Sequence, residues 1–234
     1  MASIVDERGF NQGFELVKST EVRMRRRADY MISQMDLNGP KDILEIGCGT
    51  GEVSYWIAEK TGKHVLGTDL SPLFIENAQK SLKLPNLDFE VLDFSNPQQV
   101  AGRKFDYIIG NGILHHLYHH LDNVLPVMRD LLKDKGKMIF IEPNIYNPYC
   151  AVIFNIARDW ANLEPDEMAF SKSFITAKLK TAGYTDIKVD YKDFLLPGIP
   201  ESMIKPSIAI GDVLEKLPLV NKVSQSIFIS AAKN

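Results

Sequence analysis

The chain has 234 residues, 45% of them hydrophobic, and a formal net charge of −3 at pH 7. It can form one sizeable core, and so small a charge argues against a nucleic-acid or polyanion binder. Cys48 and Cys150 are the only cysteines, which excludes a disulfide framework and favours a reducing, cytoplasmic location. No apolar run is long enough to span a membrane, and residues 1–13 lack the apolar core of a signal peptide.

Strand-like and helix-like patterns alternate along the chain. Strands are predicted at residues 43–46, 64–68, 87–92, 105–109, 138–141, 187–191 and 223–230. Apolar residues at helical spacing predict helices from residues 53, 72, 124 and 175, with Ser71 and Asp122 as two of the N-caps. This order predicts an α/β fold with a mainly parallel sheet covered on both faces. No clear helix separates the last two strands, so at least one of them is expected to run antiparallel.

Three glycines, Gly47, Gly49 and Gly51, follow the first strand, and an acid, Asp69, ends the second strand. Ligands of open α/β sheets bind beyond the carboxyl ends of the strands. The sequence therefore predicts a pocket for an adenosine-bearing ligand. Asp69 is placed to accept from both ribose hydroxyls. Asp93 follows the third strand, where it could accept from the adenine amine with Phe94 beside it.

The charges around the glycines distinguish between the possible adenosine ligands. No Gly-Lys-Ser/Thr sequence is present, which argues against a triphosphate-binding P-loop. A dinucleotide site typically has G-x-G-x-x-G, whereas the spacing here is G-x-G-x-G. The carboxylates of Glu45 and Glu52 would repel a pyrophosphate and attract a sulfonium and an ammonium group. They favour S-adenosylmethionine (SAM) over NAD.

Five ordered motifs carry a resemblance to a known family. They are ILEIGCGTG at 43–51, VLGTDLS at 65–71, FEVLDF at 89–94, FDYIIGNGILHHL at 105–117 and LLKDKGKMIFIEPN at 131–144. Together they resemble the class I SAM-dependent methyltransferases, especially the small-molecule type, over roughly the middle half of the chain. The resemblance implies a Rossmann-like, doubly wound, seven-stranded sheet with an antiparallel last strand, and SAM as the cofactor.

The same resemblance implies roles for individual residues. The three glycines would approach the methionine part of SAM, and Asn111 would lie at its methionine end. The ribose and adenine contacts would come from Asp69, Leu70, Asp93 and Phe94.

His115 and His116 are the only candidate catalytic bases in the predicted cleft. Alternatively, the Leu-His-His-Leu sequence is a feature of the scaffold. His119 and His120 follow closely, but this spacing lacks an accompanying carboxylate or cysteine set, so no metal site is predicted. The basic run of Arg23, Arg25, Arg26 and Arg27 is expected to be a solvated helix face, unless one of them meets the SAM carboxylate or an acidic substrate group.

Residues 1–234 are expected to form a single domain. The N-terminal segment 1–36 and the insertions 145–170 and 195–221 do not belong to the bare scaffold, and we expect them to act as lids or to line an acceptor pocket. Their apolar residues suggest an apolar or lipid-linked acceptor, or else a subsidiary core. Peripheral membrane contact through 195–221 is a further hypothesis.

The sequence thus predicts a SAM-dependent methyltransferase that methylates an oxygen or nitrogen atom of a small metabolite. Three alternatives stay open: a nicotinamide oxidoreductase, a nucleic-acid or protein methyltransferase, and a non-catalytic SAM-binding module. The oligomeric state is not predicted.

Overall fold

A seven-stranded sheet organises the chain, in a computed structural model that describes residues 17–93, 102–158, 163 and 167–234. The strands are β1 Asp42–Ile46, β2 His64–Asp69, β3 Leu87–Val91, β4 Phe105–Asn111, β5 Leu132–Pro143, β6 Thr185–Lys192 and β7 Ser226–Ala232. The helices in the described residues are α1 Lys18–Ser33, α2 Glu52–Thr61, α3 Pro72–Ser81, α4 Leu121–Leu131, α5 Pro148–Asn155, α6 Lys172–Thr181 and α7 Glu201–Leu214. Two 3₁₀ segments cover Leu114–His120 and Val220–Val223.

The strand order is β3-β2-β1-β4-β5-β7-β6. Strands β1 to β5 pair in parallel, whereas β7 runs antiparallel to both β5 and β6. The predicted fold class, with its antiparallel last strand, is therefore confirmed. The carboxyl ends of the central strands β1 and β4 meet at one edge of the sheet, and the turns that follow them build the site described below.

The region between the last two strands differs from the prediction. The helix α7 lies between β6 and β7, where the sequence showed no clear helix. Pro206 and Gly211 interrupt its pattern, and Ile204 is buried while Ile210 is 60% exposed, so no single apolar face stands out. The final strand also begins later than predicted, at Ser226, because Val220–Val223 forms the second 3₁₀ segment.

Each face of the sheet has its own hydrophobic core. Along β1, Ile43 faces the side covered by α1, α2 and α3, and Leu44 faces the side covered by α4 and α6. This alternation follows from the period of two in an extended strand. Both side chains are fully buried, as expected for a strand at the centre of a sheet that is covered on both faces.

Two of the predicted helix starts behave differently. Ser71 occupies the N-cap position of α3 and Pro72 its first turn, but the Ser71 side chain makes no capping hydrogen bond. Asp122 is not an N-cap, because α4 begins at Leu121 and the Asp122 carboxylate instead accepts from Lys178 at 2.6 Å. Within the described residues, no helix combines the length and apolar character needed to cross a membrane.

Candidate cofactor and catalytic site

The glycine turn after β1 adopts a backbone that favours glycine at all three positions. Gly47, Gly49 and Gly51 have φ values of +66°, +54° and +88°. A Cβ at Gly47 would lie 2.5 Å from Ile113, and one at Gly51 would lie 2.6 Å from Phe89. A Cβ at Gly49 would meet nothing within 4 Å. Gly47 and Gly51 are therefore required by packing as well as by φ, whereas Gly49 borders open space.

Asp69 joins the glycine turn to the turn that follows β2. One of its carboxylate oxygens accepts from the backbone N–H of Gly49 at 2.9 Å, and the other accepts from the backbone N–H of Ser71 at 2.9 Å. Its backbone carbonyl accepts from Leu92, so the end of β3 lies alongside. The structure therefore brings together the glycines, Asp69 and the segment that ends in Asp93. It is Asp69, rather than Ser71, that stabilises the start of α3.

The remaining residues predicted around the adenosine have different surroundings. Leu70 is 43% exposed at the tip of the β2–α3 turn. Asp93 is half-buried at the last described position after β3, and Phe94 lies outside the described residues. The adenine contacts of these residues stay predictions.

Glu45 lies at the carboxyl end of β1 with only 2% of its surface exposed. The Ser54 hydroxyl of α2 donates to its carboxylate at 2.5 Å. Burial raises the pKa of Glu45 to about 8, because Ser54 only partly offsets the loss of hydration and the nearby Glu52 and Asp69 add to the rise. The predicted attraction between Glu45 and a cation therefore requires that the bound cation itself lower this pKa. Glu45 is largely protonated at neutral pH unless a cation lies next to it.

The described residues fit SAM. Gly49 offers open space beside its backbone, and Asp69 offers two carboxylate oxygens at the ribose position implied by the family resemblance. The buried Ser71 hydroxyl has no hydrogen-bond partner among the described residues. A ligand rich in hydroxyl and amino groups would supply partners here, which a hydrocarbon would not.

Asn111, at the end of β4, belongs to a buried ionic network. Its amide oxygen accepts from Arg27 of α1 at 2.8 Å, which leaves its Nδ2 group as the part that can contact a ligand carboxylate. Arg27 and Arg23 also donate to Asp193, at 2.8 and 2.6 Å, and Arg27 donates to Ser226 at 2.6 Å.

The network corrects the prediction of a solvated basic face. The side chains of Arg23 and Arg27 are only 16% and 11% exposed, whereas those of Arg25 and Arg26 are 53% and 42% exposed. Burial alone would raise the pKa of Asp193, but the two guanidinium groups outweigh it and hold that pKa at about 2. Burial and the neighbouring Arg23 lower the pKa of Arg27 to about 10. These residues border a cavity of about 350 Å³ between α1 and β7. No local pattern in the sequence identifies Asp193 as their partner.

The loop after β4 places His115 against a buried carboxylate. His115 Nδ1 lies 2.9 Å from Glu142, which follows the apolar core of β5. Glu142 also accepts from the backbone N–H groups of Ile113 and Leu114, at 3.1 and 2.8 Å. Glu142 was not among the site residues predicted from the sequence. An available signal was a carboxylate at the end of an otherwise apolar strand, because such a group needs partners.

A second carboxylate lies beside both histidines. Glu167 is 3.1 Å from His116 Nδ1 and 3.8 Å from His115 Nε2, and its side chain is only 6% exposed. The expectation that the histidines lack accompanying carboxylates is therefore wrong. His119 and His120 are exposed, as expected for histidines on a helix surface. Glu167 belongs to the 145–170 insertion, and no residue spacing in the sequence indicates its contacts with His115 and His116.

The two insertions combine a small core with exposed apolar side chains. In 145–170, Cys150, Ile153, Phe154 and Ala169 pack together, which agrees with a subsidiary core. On α5, Tyr149 and Val152 are 47% exposed, and on α7, Met203 and Val213 are 51% and 57% exposed. Three aromatic residues of the predicted lid segments, Phe10, Phe14 and Trp160, lie outside the described residues.

Known proteins share parts of this sequence. The family model described as a methyltransferase domain matches residues 44–138. A malonyl-[acyl-carrier protein] O-methyltransferase of Ilyobacter polytropus is 30% identical over 182 residues, covering 74% of this chain and 64% of that protein. A highly reducing polyketide synthase of Emericella nidulans is 30% identical over 169 residues, covering 65% of this chain. The chain spans only 7% of that synthase's length.

The fold also has a close counterpart among solved structures. A SAM-dependent methyltransferase from Archaeoglobus fulgidus superposes with a TM-score of 0.66 and covers 96% of this chain and 98% of its own. The two sequences are 18% identical, so this likeness concerns the fold.

Proposed function

Because the chain belongs to the class I SAM-dependent methyltransferases, with SAM as its cofactor, we propose that it methylates an oxygen or carbon atom that must first lose a proton. The observation that carries this proposal is the oriented pair of His115 and Glu142. An amine acceptor needs no such base when it is neutral. A hydroxyl group, or a carbon next to a carbonyl group, does need one.

The cofactor would be held at the carboxyl ends of β1, β2 and β4. Asp69 would bind the ribose, with Leu70 and Asp93 towards the adenine. The turn containing Gly47, Gly49 and Gly51 would lie along the methionine part, and the Asn111 amide at its end. When bound, SAM supplies an electrophilic methyl group. The chain's own residues have to align the acceptor and exclude water.

His115 is the proposed general base. With Glu142 accepting from Nδ1–H, the Nε2 atom of the neutral ring has a lone pair that can take the acceptor's proton. The resulting imidazolium is stabilised by Glu142, whose own position is held by the Ile113 and Leu114 N–H groups. The His115 side chain is 11% exposed and that of Glu142 is fully buried, so little water competes for the proton.

The acceptor is proposed to be an apolar acyl group, either free or linked to a carrier. The exposed apolar residues on α5 and α7 support an apolar group. Relatives named for malonyl-[acyl-carrier protein] methylation and polyketide synthesis support an acyl group on a carrier. Segments 1–36, 145–170 and 195–221 would supply the lid and the acceptor walls. The two cysteines are free and buried, in line with a reducing, cytoplasmic setting. Peripheral membrane contact through 195–221 stays a prediction.

The test separates cofactor binding from turnover. S-adenosylhomocysteine formation is followed with acetoacetyl-N-acetylcysteamine, a β-keto thioester, and with a phenol, while calorimetry measures the affinity for SAM. His115→Ala and Glu142→Gln should each lower turnover about 10²-fold or more and leave SAM affinity within about twofold. The exposed histidine provides the control variant His119→Ala, which should match the wild type in both measurements.

Two outcomes would contradict the proposal. Wild-type turnover in His115→Ala would remove His115 as the base. Loss of SAM affinity in a folded His115→Ala variant would move the residue into the cofactor site instead.

A further inference from the structure

We propose that His115, His116 and Glu167 form a binding site for a divalent transition-metal ion of the zinc type. One ligand atom from each residue belongs to a group in which all the atoms lie within 4.8 Å of one another. We take His115 Nε2 and His116 Nδ1 as the ligand atoms, because these are the ring nitrogens that lie near the carboxylate of Glu167. Metal binding would stand even if the proposed methyl transfer were wrong.

The observed separations suit a small metal ion. Bonds of about 2.0–2.2 Å from zinc to nitrogen or oxygen allow ligand atoms to lie about 3–4 Å apart. The carboxylate of Glu167 is 3.1 Å from His116 Nδ1 and 3.8 Å from His115 Nε2, so both of these pairs are already within that range. The two imidazole rings lie side by side, with centroids 4.2 Å apart and planes inclined by 36°. Small side-chain rotations would complete the set.

Glu142 gives His115 the support that metal-bound histidines usually have. A histidine that binds a metal through one ring nitrogen commonly donates from the other nitrogen to a carboxylate, which fixes the tautomer and the ring orientation. The 2.9 Å contact between His115 Nδ1 and Glu142 leaves Nε2 directed away from Glu142 as the ligand atom. The side chain of Glu142 is fully buried and its other contacts are backbone N–H groups, so this orientation is rigid.

The local charge also favours a cation. Two buried carboxylates lie at this site: Glu142 contacts His115, and Glu167 contacts both His115 and His116. Buried carboxylates are stabilised by a protonated imidazole or by a metal ion. Imidazole and carboxylate ligands select zinc, cobalt(II) or iron(II) over calcium or magnesium.

Metal binding would have a consequence for the reaction, and this part rests on the proposed function. A metal ion on Nε2 of His115 occupies the lone pair that the proposed base needs. The metal-bound and base-competent forms are then mutually exclusive, so a bound metal ion inhibits proton abstraction. The metal-free protein is the active form.

Cobalt(II) titration tests the site without any methyl-transfer assay. Protein treated with EDTA and then freed of it is titrated with Co²⁺, and the visible d–d absorption is recorded, with Zn²⁺ used afterwards to displace the cobalt. We expect one equivalent to bind, and the affinity to fall at least tenfold in His116→Ala and in Glu167→Gln. The double variant His119→Ala/His120→Ala removes the two exposed histidines and should bind cobalt like the wild type. Far-ultraviolet circular dichroism checks that each variant is folded.

Equal cobalt affinity in the wild type, His116→Ala and Glu167→Gln would overturn the proposed metal site. Loss of cobalt binding in the double variant would also overturn it.

Inhibition of methyl transfer by the metal ion is tested separately. Stoichiometric Zn²⁺ should suppress methyl transfer in the wild type, at concentrations that follow the affinity measured by displacement. Loss of activity after EDTA treatment would overturn the inhibitory role. An active His115→Ala variant would overturn the proposed role of His115 as the base. The cobalt titration would still decide whether the metal site exists.

Discussion

Asp69 and Gly49 are joined by a hydrogen bond of 2.9 Å, from the backbone N–H of the glycine turn to the carboxylate at the end of β2. The same carboxylate accepts from Ser71, so one side chain sets the distance between two turns. The proposed ribose contact therefore depends on a group that the fold itself holds in place. A ligand hydroxyl would add to existing hydrogen bonds and would not need to order a mobile carboxylate.

Asp69→Asn should weaken SAM binding about 10- to 100-fold, because hydrogen bonds to a charged acceptor contribute about 1.5–3 kcal/mol. Calorimetry with SAM and S-adenosylhomocysteine measures the effect. Asp88→Asn is the control: it changes an aspartate of the adjacent strand β3 whose side chain is 71% exposed, and it should leave both affinities unchanged. If Asp69→Asn and Asp88→Asn bind SAM with equal affinity, Asp69 does not contact the cofactor.

Gly49→Ala separates backbone strain from ligand contact. Gly49 and Gly39 have φ values of +54° and +68°, and a Cβ at either position would meet nothing within 4 Å. Each alanine variant should therefore lose about 1–2 kcal/mol of folding free energy, measured by urea denaturation. Only Gly49→Ala should also weaken SAM binding, by at least about tenfold, because its methyl group would occupy space that we assign to the ligand. A similar loss of affinity in Gly39→Ala would assign the effect to general destabilisation.

The elements predicted correctly from the sequence are those determined by patterns of residues close together in the chain. The strand β1, the glycine turn, β2 and Asp69 lie within 30 residues, and their period and spacing are visible in the chain. The helix α7 was missed because tertiary packing, such as the approach of Gly211 to Phe194, stabilises it against an unfavourable local pattern.

The site beyond the glycine turn depends on contacts distant in sequence. His115 was a candidate, but Glu142 and Glu167 come from a neighbouring strand and from an insertion. The β4–β5 register pairs Asn111 with Ile141, which places the segment after β4 beside Glu142. Knowledge of the strand order would therefore have identified Glu142. No such rule identifies Glu167 or Asp193, because irregular segments position them.

Glu45→Gln should flatten the pH dependence of stability in the neutral range. The folded-state pKa of Glu45 is raised from its ordinary 4.5 to about 8, so between those values the folded state holds a proton that the unfolded state has released. Wild-type stability should therefore fall as the pH rises through this window, by at most about 1.4 kcal/mol per pH unit from this group. Glutamine imitates the protonated form and can still accept from Ser54, so the variant lacks this decline. Thermal unfolding between pH 5 and pH 9 measures it.

The control for Glu45 is Glu59→Gln, on an exposed position of α2, which should keep the wild-type decline. If the stability of Glu45→Gln falls with pH as steeply as that of the wild type, another group is responsible for the fall.

Proton release on SAM binding gives a second test of Glu45. Cation binding favours the ionised carboxylate, so SAM binding at pH 7 should release protons in the wild type and fewer in Glu45→Gln. Calorimetry in two buffers of different ionisation enthalpy measures that difference.

Asp193→Asn should destabilise the protein strongly, because it leaves Arg23 and Arg27 buried without their carboxylate. Breaking a buried ion pair from one side costs about 3–5 kcal/mol. The matched control is Asp212→Asn, which breaks a pair with Arg26 of the same helix at 2.7 Å, but with side chains 50% and 42% exposed. That loss should stay below about 1 kcal/mol. Urea denaturation at pH 7 gives both values.

Acid unfolding gives a second measurement for the same pair of variants. The folded-state pKa of Asp193 is held at about 2, below its ordinary 3.8, so its stabilising contribution is complete above pH 4 and is lost as the pH falls towards 2. The stability difference between wild type and Asp193→Asn should shrink over that window, whereas the small difference for Asp212→Asn should change little. The two variants could instead lose the same free energy of unfolding at pH 7 and show the same dependence on acid. That result would show that the buried ion pairs of Asp193 do not hold α1 against the end of β4.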